Sequence, residues 1–347
     1  MATELKEFRT SNDAIDDAEE LRSRIREDGY LFFRRLHDPE MLRTLRLEIL
    51  AVLRDQGWIR RDAELIDGVA DISRRCAEGD IEYAQGYHHA YRLESFHRSG
   101  HWPSVVNVIE KIVGGAVLPH PMKIARLWFP KFVQDTTPVH QDFVHFQGSY
   151  DTYTCWSPVG DCPIALGGLA VLPGSHKRNT VLDHHFSLGA GSLTVDTDEQ
   201  EGDWVTTDYE MGDALIFHSL TLHQALPNVT EDRLRVSLDN RYQAFGIPIA
   251  EQMLTPHLST HSPLTWEQIY EGWESTDLQY YWKKLDLEIV PQDTSYSEKG
   301  FAEALVLAGE GDERAELHLR RAIQRDPDSD QAKAADKVLQ SLADSGS

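Results

Sequence analysis

Two histidines and one aspartate have the types and the spacing of a metal site. His140 and Asp142 are separated by one residue, and His223 follows His140 after 83 positions. On an extended strand, residues i and i+2 project to the same face, so His140 and Asp142 would point in one direction. Two imidazoles and a carboxylate form the face that holds ferrous iron in oxygen-activating sites, with adjacent coordination positions left open. The spacing therefore predicts an iron site.

The segments that must position these side chains have the sequence pattern of a β-rich core. From about residue 120 to 245, short apolar or alternating runs are broken by Gly, Pro, Asp and Asn, as in residues 123–129, 168–172 and 213–217. Many short strands of this kind are typical of a sandwich or jelly roll, whose open end can bring distant residues together. We expect a mainly β core with flanking helices.

Helices are predicted before this core. Apolar residues recur at helical spacing between Asp13 and Gly29, ahead of a strand at residues 30–33, and Asp38 with Pro39 begins a second amphipathic helix. The region 1–115 is therefore predicted to be mainly helical.

Aromatic residues are dense after the core, within residues 262–285, and predict packed helical segments there. We interpret these aromatic side chains first as part of the scaffold, and only second as residues that line the substrate site. Residues 292–347 are predicted to be a polar linker after Pro291 and then a helical tail, which resembles half of a tetratricopeptide unit. A single unit cannot form a solenoid, so the tail is expected to dock on its own domain or on a sister subunit.

Composition excludes several classes of protein. The 347 residues carry 34 basic and 57 acidic side chains, a net charge of −23, which disfavours a nucleic-acid surface. No apolar run reaches the length of about 18 residues that predicts a membrane-spanning helix, and the first eight residues lack a signal-peptide pattern. Three unevenly spaced cysteines predict neither a disulfide framework nor a structural zinc site. We expect a cytoplasmic protein.

The two histidines and the aspartate lie within a series of three longer motifs that occur in order along the chain. They are Pro-Val-His-Gln-Asp-Phe at 138–143, Gly-Gly-Leu-Ala-Val-Leu-Pro-Gly-Ser-His-Lys at 167–177, and the stretch from Gly212 through His223 to Asn228. With them the chain resembles the phytanoyl-CoA dioxygenase family over residues 15 to 290. The resemblance implies a double-stranded β-helix of the jelly-roll, cupin-like type, and dependence on Fe(II), 2-oxoglutarate and O2. It implies a dioxygenase domain at 1–291, with the tail outside it.

The resemblance also assigns roles to individual residues. It makes His140, Asp142 and His223 the iron ligands, and an arginine about a dozen residues after His223 the anchor for the far carboxylate of 2-oxoglutarate. Arg235 matches that position best. The rivals are Arg233, which would share the face of Arg235 on a regular strand, and Arg241. Gln141 and Trp156 match positions that help to hold 2-oxoglutarate, and Met122 aligns with one that lines its pocket.

Two positions refine the expected reaction. Relatives often carry Ser two residues after the distal histidine, but this chain has Ala225, so one hydrogen bond to the co-substrate would be missing unless a neighbouring hydroxyl replaces it. Asp142 is the carboxylate that related halogenases lack. Hydroxylation is therefore favoured over halogenation. His145 would lie on the opposite face of a regular strand from His140, although it could border the substrate.

The substrate is predicted to be a small metabolite or natural-product intermediate that is hydroxylated at an unactivated carbon. The alternatives are an acyl-CoA thioester, a non-catalytic metal-binding barrel that acts as a sensor or scaffold, and a cupin-like enzyme that does not use 2-oxoglutarate. Neither nucleic acid nor a membrane is expected as a partner. A homo-oligomer formed through the tail is possible.

Overall fold

The computed structural model describes residues 5–197 and 202–345. Over these residues the chain forms helices α1 Ala18–Asp28, α2 Pro39–Asp55, α3 Ile81–Tyr91, α4 Glu94–Ser99, α5 Pro103–Val113, α6 Phe143–Phe146, α7 Trp266–Tyr270, α8 Ser295–Gly309, α9 Glu313–Arg325 and α10 Asp330–Ser345. The strands are β1 Lys6–Glu7, β2 Tyr30–Phe33, β3 Val117–Trp128, β4 Thr152–Pro158, β5 Leu169–Val171, β6 His185–Phe186, β7 Leu193–Thr194, β8 Val205–Thr206, β9 Ala214–His218, β10 His223–Ala225, β11 Arg235–Ala244, β12 Ile249–Ala250 and β13 Ile289–Val290.

The observed ends of α1 and α2 lie within a few residues of the boundaries predicted from the sequence. Asp17 caps α1 by accepting hydrogen bonds from the backbone of Glu19 and Glu20, and Gly29 ends the helix with φ +78°. Asp38 caps α2, and Pro39 occupies its first turn. The predicted strand at 30–33 is β2.

Two sheets face each other across the core. The larger has the strand order β2-β9-β4-β11-β3, and the smaller has the order β1-β8-β5-β10. Apolar side chains from both sheets meet between them, including Trp156 and Phe217 from the larger sheet and Leu169 and Val171 from the smaller. The sheets are mixed and carry flanking helices, which confirms the expected β core with flanking helices at this coarse level.

Helices cover the other face of the larger sheet, because alternate residues of its strands point outward. Leu31, Phe33 and Ile216 pack there with residues of α1 and α5. A separate cluster joins α2 and α3 to β3 and β11, and it includes Leu127 and Leu238.

The aromatic-rich region is less helical than predicted. It contains α7 and a 3-10 helix at Tyr281–Lys284, and the rest of residues 262–285 is mostly turns and extended chain. Trp266, Tyr270 and Trp282 pack with the α2 and α3 cluster, so these side chains act as scaffold.

The tail forms three helices, α8 to α10, which share their own apolar cluster with Phe186 of β6. Arg321 of α9 joins this tail to the rest of the chain. It pairs with Asp80 and Asp135, in each case at 2.7 Å. The tail therefore docks on its own chain. Among the described helices, none is long and apolar enough to cross a bilayer.

Candidate active site

The three predicted metal ligands meet at one buried point. Nε2 of His140 lies 3.5 Å from Oδ1 of Asp142, and Nε2 of His223 lies 3.6 Å from the same oxygen. Two atoms that bind one ion at about 2.1 Å and at a right angle lie about 3 Å apart, so a small inward movement would complete the shell. Among the described residues, these three form the cluster with metal-ligand spacing.

Backbone hydrogen bonds set the tautomer of both histidines. Nδ1 of His140 donates to the carbonyl oxygen of Pro138 at 2.8 Å, and Nδ1 of His223 donates to that of Thr221 at 3.0 Å. Each Nε2 is therefore left with its lone pair directed at the site, which is the usual arrangement for metal-binding histidines.

The segment that carries His140 and Asp142 is not the regular strand expected from the sequence. His140 forms a single antiparallel bridge with His223, and Asp142 already has helical backbone angles at the start of α6. The bridge places the two histidine rings 4.2 Å apart between centroids. The pairing of His140 with His223 thus brings the three side chains together, which the alternation of a regular strand was expected to do.

Asp142 is held mainly through one of its two carboxylate oxygens. Oδ2 accepts hydrogen bonds from the hydroxyl of Thr154 and from Nη2 of Arg241, the latter at 3.2 Å. Burial alone would raise the pKa of Asp142, but the charge of Arg241 holds it well below its usual range. Burial lowers the pKa of His223 to about 3. The set is thus an ionised carboxylate beside a neutral imidazole, as a cation requires.

An inner pocket lies on one side of this triad, and Arg235 lines it together with Trp156, Ala225 and all three ligands. Arg235 is 2% exposed, and its guanidinium carbon lies 6.0 Å from the centroid of the Trp156 ring. Nε of Arg235 and Nε1 of Trp156 are both buried without a hydrogen-bond partner among the described residues. Two buried donors without acceptors are the fit expected for an anionic ligand.

The two rival arginines are engaged by other groups. Arg233 is exposed, precedes β11 and donates to the backbone of Asp67 at 2.9 Å, so it does not reach the pocket. Arg241 lies on β11 and lines the inner pocket, but it pairs with Asp142 and Asp239. Burial lowers the pKa of Arg235 to about 10, which still leaves this side chain charged at neutral pH.

Gln141 is not brought to either cavity. Its amide nitrogen donates to the carbonyl oxygens of Thr180 and Leu220, and its amide oxygen accepts from the backbone of Leu182. Through these bonds, Gln141 connects the segment of the triad to the loops that contain Thr180, Leu182 and Leu220.

An outer cavity of about 600 Å³ adjoins the inner pocket and reaches the triad at His140 and Asp142. Its volume is in the range of small-molecule sites. Met122 lines this outer cavity, not the inner pocket. His145 lines it too, because α6 turns its ring to within 5.3 Å of the His140 ring between centroids. The face expected for His145 from strand alternation is thus corrected.

Several residues of this site were not singled out in the sequence. Thr154 shares a face with Trp156 on β4, and Arg126 on β3 lines both cavities and pairs with Glu78. Alternation along the strands could have suggested Thr154. The tail residues that line the outer cavity carry no such signal.

Comparison with known proteins identifies a family for this chain. The profile of the phytanoyl-CoA dioxygenase family matches residues 25–236, which is more than half of the chain. A 1-deoxypentalenic acid 11-beta-hydroxylase from Streptomyces exfoliatus is 27% identical over 278 residues, which cover 74% of this chain and 92% of that protein. The enzyme of the same name from Streptomyces arenae is 27% identical over 264 residues, covering 70% and 87%.

Solved structures are also similar at a coarse level. The epimerase SnoN, in complex with Fe3+, alpha-ketoglutarate and nogalamycin RO, is 20% identical and has a TM-score of 0.46 over 66% of this chain and 84% of that one. The match of the family profile, which spans all three candidate iron ligands, decides the assignment. This chain belongs to the phytanoyl-CoA dioxygenase family of iron- and 2-oxoglutarate-dependent oxygenases.

Proposed function

We propose that this enzyme hydroxylates an unactivated carbon of a small-molecule natural-product intermediate. One observation supports this function above others: the triad lies where a narrow inner pocket meets a larger outer cavity, and the inner pocket holds an arginine, Arg235, with no ion-pair partner among the described residues. One side suits a small dianion and the other a drug-sized molecule. The curated relatives, which hydroxylate 1-deoxypentalenic acid according to their names, support a substrate of the natural-product type.

His140, Asp142 and His223 are the proposed iron ligands. Three ligands on one face leave the remaining positions open toward both cavities, so two small molecules can approach from different sides. When bound, iron with 2-oxoglutarate and O2 supplies the oxidising power that converts a C–H bond to C–OH.

Arg235 is the proposed anchor of the co-substrate. Its guanidinium can donate two parallel hydrogen bonds to the far carboxylate of 2-oxoglutarate, and its location in a dry pocket strengthens that interaction. Trp156 offers its unpartnered Nε1 at the same wall. Ala225 lacks a hydroxyl, but Thr137 lines the pocket beside it and accepts a backbone hydrogen bond from Ala225 at 3.2 Å. We propose that the Thr137 hydroxyl replaces the serine found in relatives.

Gln141 and Met122 act less directly in this scheme. Gln141 would position the triad by holding the loops behind it. Met122 would contact the substrate rather than 2-oxoglutarate, since it lines the outer cavity. Asp142, held by Thr154 and Arg241, fills the position that halide takes in related halogenases, which supports hydroxylation.

The finer architecture belongs to the same proposal. The two facing sheets support a double-stranded β-helix of the jelly-roll type, with a dioxygenase domain over residues 1–291 and a helical tail over 292–347. Cys76, Cys155 and Cys162 are free and buried, which supports a reducing, cytoplasmic location. A homo-oligomer through the tail stays a prediction, which light scattering on the purified protein would test.

The function can be tested in two stages. Anaerobic addition of iron(II) and 2-oxoglutarate to the purified protein should produce the weak visible absorption of the chelate, and His140→Ala should abolish it. Aerobic incubation with a metabolite extract should then give succinate and a product heavier by one oxygen in equal amounts. Metal binding without succinate would refute the proposed activity, and product formed without 2-oxoglutarate would refute the co-substrate.

A further inference from the structure

The C-terminal helices form part of the wall of the outer cavity. It is lined by Ser297 and Phe301 of α8, His318, Arg321 and Arg325 of α9, and Gln331 of α10, together with His140 and Asp142. These residues lie beyond the segment matched by the family profile, which ends at residue 236. The tail therefore contributes to the shape and charge of the cavity that the proposed function assigns to the substrate.

Three arginines line this cavity, and two of them are neutralised by carboxylates. Arg126 pairs with Glu78 and lies 3.6 Å from Asp239. Arg321 donates to both Asp80 and Asp135. Their charges are matched within the protein, so neither is available to an incoming anion.

Arg325 is different. Nη1 of Arg325 lies 3.1 Å from Nε2 of His261, and among the described residues no carboxylate forms an ion pair with this arginine. Its neighbour Asp326 is exposed and acts on it only through space. Burial lowers the pKa of His261 to about 4, so His261 is a neutral acceptor and does not compensate the charge.

A half-buried cation without a counter-ion is costly unless an anion completes it. The position of Arg325 at the last residue of α9 gives some stabilisation through the helix dipole. That effect accounts for an arginine at the helix end, but not for a side chain that lines a cavity shared with the metal triad.

The part of the cavity wall beside the triad has the opposite character. Met122, Ile124 and Phe146 line it and pack together in one apolar cluster. An apolar wall near the metal and an unpaired cation on the tail together fit an amphipathic ligand.

We propose that Arg325 binds a carboxylate of the substrate, so that the apolar body of a small organic acid lies against Met122, Ile124 and Phe146 next to the metal. Arg325 is thus a specificity-determining residue. This inference rests on the proposed function, because it assigns the outer cavity to the substrate.

The test uses a matched pair of probes, adamantane-1-carboxylate and the uncharged adamantane-1-carboxamide. Their binding to the full chain is measured by calorimetry without O2, with manganese(II) and saturating 2-oxoglutarate, so that Arg235 is already occupied. We expect the wild type to bind the carboxylate with a Kd at least about tenfold lower than that of the carboxamide. A charge-assisted hydrogen bond typically strengthens binding by about this factor.

The variants separate a specific contact from general charge. Arg325→Gln should bind both probes equally, whereas Arg325→Lys should keep part of the preference. Arg320→Gln, on the same helix but exposed and paired with Glu316, should behave as the wild type. Folding of each variant is checked by circular dichroism, and 0.5 M salt should weaken the preference of the wild type.

Several results would overturn the inference. These are no saturable binding of the carboxylate by the wild type, equal binding of the two probes, a preference that persists in Arg325→Gln, or tighter binding of coenzyme A than of the carboxylate. Titration of the wild type with 2-oxoglutarate alone reports separately on the proposed function. Normal 2-oxoglutarate binding without carboxylate preference would refute only the role of Arg325.

Discussion

Nη2 of Arg241 lies 3.2 Å from Oδ2 of Asp142 and 3.4 Å from its Oδ1. The shorter contact and the hydroxyl of Thr154 both engage Oδ2, which leaves Oδ1 as the oxygen near both imidazoles. Arg241 also stacks on Phe146, with its guanidinium carbon 3.6 Å from the ring centroid. The orientation of the only acidic residue in the candidate triad thus depends on a residue six positions after Arg235 on the same strand.

The first prediction concerns this support. Arg241→Met should weaken binding of a divalent metal by about 10- to 100-fold, because loss of a partner that orients a ligand typically has such an effect. Titration with manganese(II), followed by electron paramagnetic resonance, measures the affinity. Arg233→Met is the control, since that side chain is exposed. Unchanged affinity in Arg241→Met would show that Thr154 alone orients Asp142.

The second prediction separates Arg235 from Arg233. Arg235→Gln should raise the KM for 2-oxoglutarate by about 10- to 100-fold, the equivalent of one or two lost charge-assisted hydrogen bonds. Arg233→Gln should change it by less than about twofold, because its guanidinium contacts the backbone of Asp67. Initial rates of succinate formation at varied 2-oxoglutarate decide between them. A larger effect from Arg233→Gln would contradict the assigned pocket.

The third prediction concerns the attachment of the tail. Arg321→Met leaves the buried carboxylate of Asp135 without its cation, so the free energy of unfolding should fall by about 3 to 5 kcal/mol. Arg320→Met should change it by no more than about 0.5 kcal/mol, since Arg320 forms an exposed pair with Glu316. Urea denaturation of both variants provides the comparison. Equal stabilities would mean that the tail is held mainly by its apolar contacts.

The fourth prediction is a pH dependence of stability. His97 donates through Nε2 to the carbonyl oxygen of Tyr91 at 2.7 Å, and burial lowers its pKa from 6.5 to about 3. Because the unfolded chain takes up a proton here at higher pH than the folded chain, this contribution to stability is fully present above pH 6.5. It is lost as the pH falls toward 3. Between pH 7 and 5 the loss from His97 should be about 2 kcal/mol.

The measurement is the free energy of unfolding at pH 7 and pH 5. His97→Gln keeps a donor for the Tyr91 carbonyl but cannot titrate, so its stability should depend less steeply on pH than that of the wild type. His89→Gln is the matched control, because His89 is exposed on α3. The same slope in all three proteins would refute the assignment to His97.

Local signals were sufficient for several elements. Asp17, Gly29, Asp38 and Pro39 act through backbone groups within a few residues of themselves, so the ends of α1 and the start of α2 follow from short-range chemistry. The strand at residues 30–33 was predicted with its observed bounds. By contrast, residues 140–142 follow an irregular path, because pairing of His140 with His223 and the start of α6 override the preference of a short alternating run.

The metal triad could be proposed from residue types and order because an iron site needs those groups whatever path the chain takes between them. The choice between Arg235 and Arg233 needed the register of β11. On a regular strand, Arg233 and Arg235 would point to the same face. Because β11 begins at Arg235, Arg233 lies outside the strand and does not share that face. His145 changed sides for the related reason that α6 has a helical period.

The sequence by itself determined the chemistry: two imidazoles, one carboxylate and one arginine, in an order that identifies an iron- and 2-oxoglutarate-dependent oxygenase. Only the tertiary structure decided which cations are free. Arg321 and Arg325 lie on one helix and carry the same charge, yet the first is paired with Asp80 and Asp135 and the second with no carboxylate among the described residues. Such pairing depends on distances between segments more than 180 positions apart, which local sequence patterns do not encode.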